Sequence, residues 1–280
     1  MLRQTSRRQI SLASPLVMGI LNVTPDSFSD GGSFLHVDAA VKQTEQMISG
    51  GADIIDIGGE STRPGSQRVP AEVEVERIVP IIDAIQKKFD TPISIDTTKF
   101  AVARAALDAG AEIINDISGL RWDESIAELA AETNAGLVLM HSRGSFETMH
   151  EQPPVDDILA EVIRDLRRAI STANSHGVKD EQLVLDVGIG FGKTAEQNLE
   201  LIAKLDKIVS EFENFPVLVG ASRKSFIGKI LDDAPPTERL GGSIASAIAS
   251  VANGAKIVRV HDVKETVASL KVWSELSKVI

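Results

Sequence analysis

The chain has 280 residues, of which 43% are hydrophobic, and its formal net charge is -11. This length and composition suffice for one large core or two small ones, and the acidic balance argues against nonspecific nucleic-acid binding, which requires a basic surface. Because the sequence contains no cysteine, disulfides, thiolate metal sites and cysteine nucleophiles are excluded, and a reducing, cytoplasmic compartment is the expected location.

Residues 1–14 predict a basic N-terminal arm that precedes a folded domain over 15–280. A secretory signal peptide would need a longer apolar region and a cleavage site after the arginines, whereas the apolar run here breaks at Asn22–Pro25 and is better interpreted as a first strand. A short organellar transit arm is the alternative. No apolar stretch is long enough to span a bilayer, so we expect no membrane association.

Short runs rich in valine and isoleucine alternate with longer segments of helical periodicity. Each run is bounded by Gly, Pro or Asp, which is typical of buried parallel strands. The runs are 16–22, 53–58, 92–96, 111–116, 136–141, 182–187, 216–222 and 255–260. The clearest helical segments are 37–51, 71–88, 100–110 and 154–173. Glycines at 50–51, 110, 136 and 254 are expected to end helices just before the next strand.

About eight strands, each followed by a helix, predict an α/β protein with a single (β/α)8 TIM-barrel domain. An open doubly wound sheet is the alternative, but it would more often carry a glycine-rich fingerprint after its first strand. That position here reads NVTPDSFSDGG. No linker or shift in composition divides the chain.

Nearly every predicted strand leads into polar side chains, and in such a barrel the chemistry lies at the C-terminal strand ends. Singly, each residue could be a helix cap, a turn former or a solvated charge; their convergence indicates a site. Acceptors that suit a flat heterocycle with several N–H donors are Asp96, Asn115 and Asp186. Groups that suit a phosphate or diphosphate are Asn22, Arg63, Arg259 and His261.

The glycine-rich stretch LDVGIGFGKT, residues 185–194, fits neither nucleotide-binding pattern. A P-loop would need glycine where Val187 stands, and the dinucleotide fingerprint would need a third glycine where Lys193 stands. We interpret the stretch as the end of the sixth strand and a loop whose glycines leave room for substrate. Lys193 is interpreted either as a site residue or as a surface charge.

Seven ordered motifs make the chain resemble the dihydropteroate synthases. They are MGILNVTPDSFSDGG (18–32), GADIIDIGGESTRPGS (51–66), SIDTTK (94–99), INDISG (114–119), LDVGIGFGKT (185–194), LVGASRKSFIG (218–228) and IVRVHDVKET (257–266). The resemblance implies a TIM-barrel transferase of folate synthesis, usually a homodimer. Its reaction joins 4-aminobenzoate to (7,8-dihydropterin-6-yl)methyl diphosphate and gives 7,8-dihydropteroate and diphosphate.

By match to the family motifs, the resemblance implies a role for each site residue. The pterin would be held by Asp96, Asn115, Met140, Asp186, Lys224 and Arg259. The diphosphate would be held by Asn22, Arg63, Arg259 and His261, with Mg²⁺ at Asn22. The aminobenzoate site would be formed by Phe28, Thr62, Pro64, Phe191 and Ser225. Sulfonamides, which mimic aminobenzoate, are then expected to inhibit.

Two segments depart from the family pattern. The chain has Asp186-Val187-Gly188 where the family usually has Asp-Pro-Gly, and HSRGSFETMH at 141–150 where it often has His-Met-Gln-Gly and then Pro-x-Thr-Met-Gln. We expect these departures to alter loop geometry but not the chemistry.

The competing hypotheses are a pterin-binding methyltransferase that acts with a corrinoid protein, an unrelated phosphate-binding barrel such as an aldolase, and a non-catalytic binding protein.

The uncharged segment 240–255 predicts a helix that packs on the barrel and on a second subunit. A helix buried within a monomer is the alternative.

Overall fold

The computed structural model describes residues 2–23, 33–63 and 65–279. Its strands are β1 (Leu2–Gln4), β2 (Gln9–Ser11), β3 (Leu16–Asn22), β4 (Ile54–Gly58), β5 (Ile93–Asp96), β6 (Ile113–Asp116), β7 (Gly136–Met140), β8 (Leu183–Asp186), β9 (Val217–Val219) and β10 (Ile257–Val260). Strands β3 to β10 form a closed barrel in the order β10-β3-β4-β5-β6-β7-β8-β9. Neighbouring barrel strands pair in parallel, so the predicted (β/α)8 barrel is confirmed.

Helices connect the strands and form the outer layer. They are α1 (Ser33–Ser49), α2 (Ala71–Lys88), α3 (Phe100–Asp108), α4 (Ser125–Thr133), α5 (Ile158–Ser175), α6 (Ala195–Ala203), α7 (Leu205–Glu211), α8 (Ser225–Ile230), α9 (Leu240–Ala252) and α10 (Val263–Leu276). The bounds of α2 are those that the sequence predicted. Among the described helices, none combines the length and the apolar character needed to cross a membrane.

One predicted helix end was wrong. Gly136 does not end a helix, because it is the first residue of β7. The left-handed residue after α4 is Asn134, whose φ is 53°. Asparagine is, after glycine, a residue that adopts this conformation at low cost, so the helix ends before the glycine is reached.

Alternation along the strands separates two apolar layers. Ile93 and Ile95 belong to the large cluster that packs against the helices, and Ser94 lies between them on the opposite face. Val184 belongs to a smaller cluster inside the barrel, together with Met18. The same alternation carries the polar residues at the C-terminal ends of β5 and β8 into the interior of the barrel mouth.

The N-terminal end of the barrel is covered by the β1–β2 hairpin, which the sequence had suggested only as an arm. The two strands pair antiparallel, and Ile10 and Leu12 pack against the inner cluster. Thr5 Oγ1 donates to Glu112 Oε2 at 2.7 Å and Arg8 pairs with the same carboxylate. These contacts close that end, so a substrate must enter at the C-terminal mouth.

Candidate active site

Inside the mouth, the ends of β4, β5 and β10 bring two carboxylates to one guanidinium. Arg259 donates through Nε to Asp56 Oδ2 and through Nη2 to Asp96 Oδ2, each at 2.6 Å. Burial alone would lower the pKa of Arg259, but the two carboxylates raise it above its ordinary value. The guanidinium therefore stays charged, and it neutralises an acidic interior that would otherwise be costly to bury.

Asp56 was not among the site residues predicted from the sequence, which were the polar residues at the ends of the strands. It lies within DIIDIG and is fully buried. A signal was present, because Asp56 is two residues from Ile54 and therefore shares its inward face. A carboxylate on the inner face of an apolar strand needs a partner, and the structure supplies Arg259.

Among the described residues, two acceptor oxygens beside this ion pair have no hydrogen-bond partner. Asn115 Nδ2 donates to Asp56 Oδ2 at 3.2 Å, which leaves Asn115 Oδ1 and Asp56 Oδ1 without a hydrogen bond within the described part of the chain. Buried acceptors are rarely left unsatisfied in proteins. A ligand edge with several N–H donors would satisfy them.

Asp186 and Asp96 add two further carboxylates. Asp186 is 4% exposed, and its Oδ1 accepts from the Gly188 N–H at 2.7 Å. Burial raises the pKa of Asp186. Burial also raises the pKa of Asp96 to about 7, although the Arg259 guanidinium opposes this shift. A ligand that donates hydrogen bonds would favour the ionised form of both groups.

An apolar wall flanks the acceptors. It is built from Ile117, Met140, Phe146, Met149 and Phe191, with Trp122 packed against them. Lys224 Nζ lies 4.0 Å from the centroid of the Phe191 ring, a cation–π contact. Burial, together with the Arg259 charge, lowers the pKa of Lys224 to about 8. The mouth thus offers an apolar surface between carboxylates and cations.

His261, predicted to meet an anion, lies beside this group in its neutral form. Its Nδ1 is 3.1 Å from Ser222 Oγ. Burial, together with the Arg259 charge, lowers the pKa of His261 to about 3. His261 therefore offers a hydrogen bond rather than a charge, and the positive charge here belongs to Arg259 and Lys224.

The remaining predicted residues are less closely gathered. Arg63 is exposed, and its backbone N–H donates to Ser61 Oγ at 3.4 Å. Thr62 accepts through its backbone oxygen from His150 Nε2 at 2.8 Å. Ser225 is the exposed first residue of α8. Phe28 and Pro64 lie outside the described residues.

A family model described as "Pterin binding enzyme" matches residues 18–261. The chain belongs to the dihydropteroate synthase family of pterin-binding enzymes. It is 50% identical over 260 residues to the dihydropteroate synthase of Synechocystis sp., a match that covers 93% of this chain and 89% of the relative.

Solved dihydropteroate synthases share the whole fold. The enzyme from Xanthomonas albilineans, solved with 4-aminobenzoic acid, superposes with a TM-score of 0.91 at 40% identity, over 99% of both chains. The enzyme from Yersinia pestis, solved with a sulfonamide drug, gives a TM-score of 0.91 at 41% identity, over 100% of both chains.

The first departure from the dihydropteroate synthase pattern leaves the strand end intact. Val187 is buried in the layer between barrel and helices. Gly188 has φ of 66°, and a Cβ built on it would lie 1.8 Å from the His141 backbone oxygen. A Cβ on Gly192 would lie 2.7 Å from Arg143 Cβ. The space beside these two glycines is therefore filled by neighbouring protein groups. From the sequence, substrate was expected to fill it.

Lys193 is not the surface charge that the sequence allowed. Its Nζ donates to the Gly188 oxygen at 2.7 Å and to the Phe191 oxygen at 3.0 Å. Burial lowers the pKa of Lys193 to about 7. Because these carbonyls belong to one short loop, Lys193 holds together the turn that presents Phe191.

Within the described residues, two places in the barrel offer ligands for a cation. Asn22 Oδ1 and Asp96 Oδ2 would lie 3.8 and 3.9 Å from a Cβ on Gly58, so two hard oxygen ligands, the type that Mg²⁺ prefers, surround one bare Cα. Separately, ligand atoms of His141, Glu161 and Asp165 lie within 4.8 Å of one another. Both carboxylates of that second group pair with arginines, and Asp96 pairs with Arg259 in the same way, so pairing with arginine does not distinguish the two places.

Proposed function

We propose that the protein is a dihydropteroate synthase, a transferase that condenses 4-aminobenzoate with (7,8-dihydropterin-6-yl)methyl diphosphate in folate synthesis. The arrangement of acceptors and charge in the barrel mouth is the observation that supports this proposal. Buried acceptors on Asp56 and Asn115 that have no partner within the described part of the chain lie next to Arg259, so one chamber suits both a donor-rich ring and an anion. The identity to dihydropteroate synthases over nearly the full chain supports the same activity.

The pterin ring would bind through hydrogen bonds at its edge and apolar contact on its face. Asp96, Asn115 and Asp186 supply acceptors for the ring N–H groups, and burial makes such bonds stronger than they would be in water. Met140 and Phe191, which belong to one apolar cluster, would contact the face of the ring.

The chemistry then requires little more than departure of the diphosphate. The C–O bond at the exocyclic methylene breaks with its electron pair passing to diphosphate, and the electron-rich dihydropterin stabilises the resulting positive charge. The aminobenzoate nitrogen forms the new C–N bond and loses a proton to solvent. Because the amine of aminobenzoate is already nucleophilic, the protein needs to position it but needs no strong general base.

The leaving anion would meet Arg259, Lys224, Arg63 and a hydrogen bond from His261. Nε and one N–H of Nη2 of Arg259 are already engaged, so the two N–H groups of Nη1 and the second N–H of Nη2 would be available to the diphosphate. Fixed charges of this kind stabilise a developing anion without reorganisation. Mg²⁺ held through Asn22 would add charge neutralisation on the diphosphate.

The aminobenzoate site would lie between the loops after β4 and β8. Thr62 and Phe191 come from these loops, with Ser225 at the start of α8 and with Phe28 and Pro64 from the segments that the structure leaves undescribed. Because sulfonamides mimic aminobenzoate, we expect them to compete for this site.

A homodimer is the proposed assembly, and the cytoplasm the proposed compartment, in keeping with a chain that lacks cysteine. Large apolar side chains are exposed on or beside α8, α9 and α10: Ile230, Leu231, Leu240, Val272 and Leu276. The helix α9 carries no charged residue, which suits an interface better than solvent. Sedimentation of the purified protein at micromolar concentration tests this proposal; a monomer would contradict it.

Incubation with the pterin diphosphate, aminobenzoate and Mg²⁺, followed by chromatography, tests the proposed activity. We expect 7,8-dihydropteroate to form. Binding of pterin without product, together with methyl transfer from a methylated pterin to a corrinoid protein, would instead support the methyltransferase hypothesis.

A further inference from the structure

His150 joins two loops of the barrel mouth. Its Nε2 lies 2.8 Å from the Thr62 backbone oxygen, and its ring centroid lies 5.8 Å from that of Phe191, at an interplanar angle of 31°. Because a carbonyl oxygen only accepts, Nε2 must carry the proton of this hydrogen bond. One side chain therefore contacts both the loop after β4 and the loop after β8.

The segment that carries His150 is itself well fixed. Met149 is 1% exposed and packs in the same apolar cluster as Phe191. A turn precedes it, in which the Ser145 N–H donates to Thr148 Oγ1 at 3.0 Å. His150 is thus anchored by its neighbour Met149, and it can transmit this fixed position to Thr62.

Both partner loops are restrained elsewhere as well. Arg143, from the same segment as His150, donates to the Gly192 oxygen at 2.9 Å and so holds the loop of Phe191. The guanidinium of Arg68, in the loop after β4, lies 5.9 Å from the ring centroids of Trp122 and of Phe146. Other contacts therefore already restrain each of the two loops, and the contact of His150 fixes the local distance between them.

We propose that His150 is a positioning residue of the aminobenzoate site. It sets the distance between Thr62 and Phe191 and thereby the width of the slot that would hold aminobenzoate. This inference rests on the proposed function, which places those two residues at that site. A carbonyl oxygen requires only a donor, and a glutamine amide at this position would also carry an N–H donor. The donor, rather than the imidazole charge, is then the property that matters.

Steady-state kinetics of three variants test the proposal. His150→Ala removes the donor and the ring contact, so KM for aminobenzoate should rise by about 3- to 10-fold, the effect of one lost hydrogen bond. The turnover number and the affinity for pterin diphosphate should stay near wild type. His150→Gln restores a donor and should return KM close to wild type, whereas His150→Leu keeps apolar contact with Phe191 and should leave KM raised.

His176→Ala is the matched control. His176 also bonds a backbone oxygen, that of Thr172, through Nδ1 at 2.9 Å, but it lies at the C-terminal end of α5, away from the mouth. We expect this variant to keep wild-type KM and turnover. Thermal melting of every variant shows whether it is folded; should His150→Ala not fold, the comparison of His150→Gln with His150→Leu decides.

Several results would overturn the inference. These are an unchanged KM for aminobenzoate in both His150→Ala and His150→Leu, a glutamine variant as impaired as the leucine variant, or a parallel loss of pterin affinity. A wild-type protein that forms no dihydropteroate would instead refute the proposed function. The two failures are therefore distinguishable in one set of assays.

Discussion

Arg259 and Asp56, which are 203 residues apart in the chain, form a buried ion pair of 2.6 Å across the barrel mouth. The pair also orders the site, since Asp56 holds Asn115 and Arg259 holds Asp96. Asp56 thus controls the positions of other residues proposed to bind the substrate, in addition to offering its own Oδ1.

Replacement of Asp56 by alanine should therefore destabilise the protein. The change leaves the Arg259 charge only partly compensated in a buried place, and breaking a buried pair typically costs about 3–5 kcal/mol. Urea unfolding followed by circular dichroism measures the loss. Glu132→Gln is the control, because its partner Arg104 is part of an exposed pair and its loss should leave the unfolding midpoint almost unchanged. Equal midpoints for both variants would refute the structural role of Asp56.

Asp186→Asn should weaken pterin binding by at least about tenfold, since a charged acceptor for the ring N–H groups is replaced by a neutral amide. Calorimetric titration with the pterin diphosphate gives the affinity. Asp180→Asn, an exposed change in the turn before β8, should bind like wild type. Wild-type affinity in Asp186→Asn would remove Asp186 from the pterin site.

Pterin affinity should pass through a maximum between about pH 7 and 8. Asp96 must be ionised to accept hydrogen bonds, and because burial raises its pKa to about 7, affinity should fall as the pH decreases below that value. Lys224 must be protonated to attract the diphosphate, and because burial lowers its pKa to about 8, affinity should fall again above it. Lys224→Arg stays charged and should abolish only the alkaline decrease. An affinity that is flat across this range would contradict the assignment.

Gly188→Ala should be far more harmful than Gly177→Ala. Both glycines have positive φ, 66° and 89°, so each substitution strains the backbone by about 1 kcal/mol or more. At Gly177 the added methyl would lie 3.7 Å from Ala131 Cβ, an ordinary contact, whereas at Gly188 it would lie 1.8 Å from the His141 oxygen. The difference between the thermal unfolding midpoints of the two variants measures the cost of the clash. Equal midpoints would show that the loop moves aside without cost and would contradict this prediction.

The sequence predicted the barrel well because apolar periodicity records burial directly. Runs such as Ile93–Asp96 alternate between the helix-facing layer and the interior, and the strand ends then fix where Asp96, Asp186 and Arg259 lie. The charge states were not predictable in this way. His261 is neutral because burial and the neighbouring Arg259 act together; Arg259 is only two residues away in the chain, but the extent of burial depends on the packing of the whole barrel mouth.

The contacts made by the loops were the other part of the structure that could not be predicted from the sequence. The contact of His150 with Thr62 and the bonds of Lys193 to its own loop involve backbone oxygens, which carry no signature in the residue types. The hairpin of β1 and β2 was missed for a related reason, because its strands are three residues each and too short to show a period.

Diphosphate release is the most direct test of the central claim, that this barrel mouth binds the pterin diphosphate and promotes its displacement by aminobenzoate. With both substrates and Mg²⁺ present, we expect one diphosphate for each 7,8-dihydropteroate formed, and turnover should fall by at least about 100-fold in Arg259→Ala, through lost stabilisation of the leaving anion. No release by the wild-type protein, or wild-type turnover in Arg259→Ala, would contradict the account.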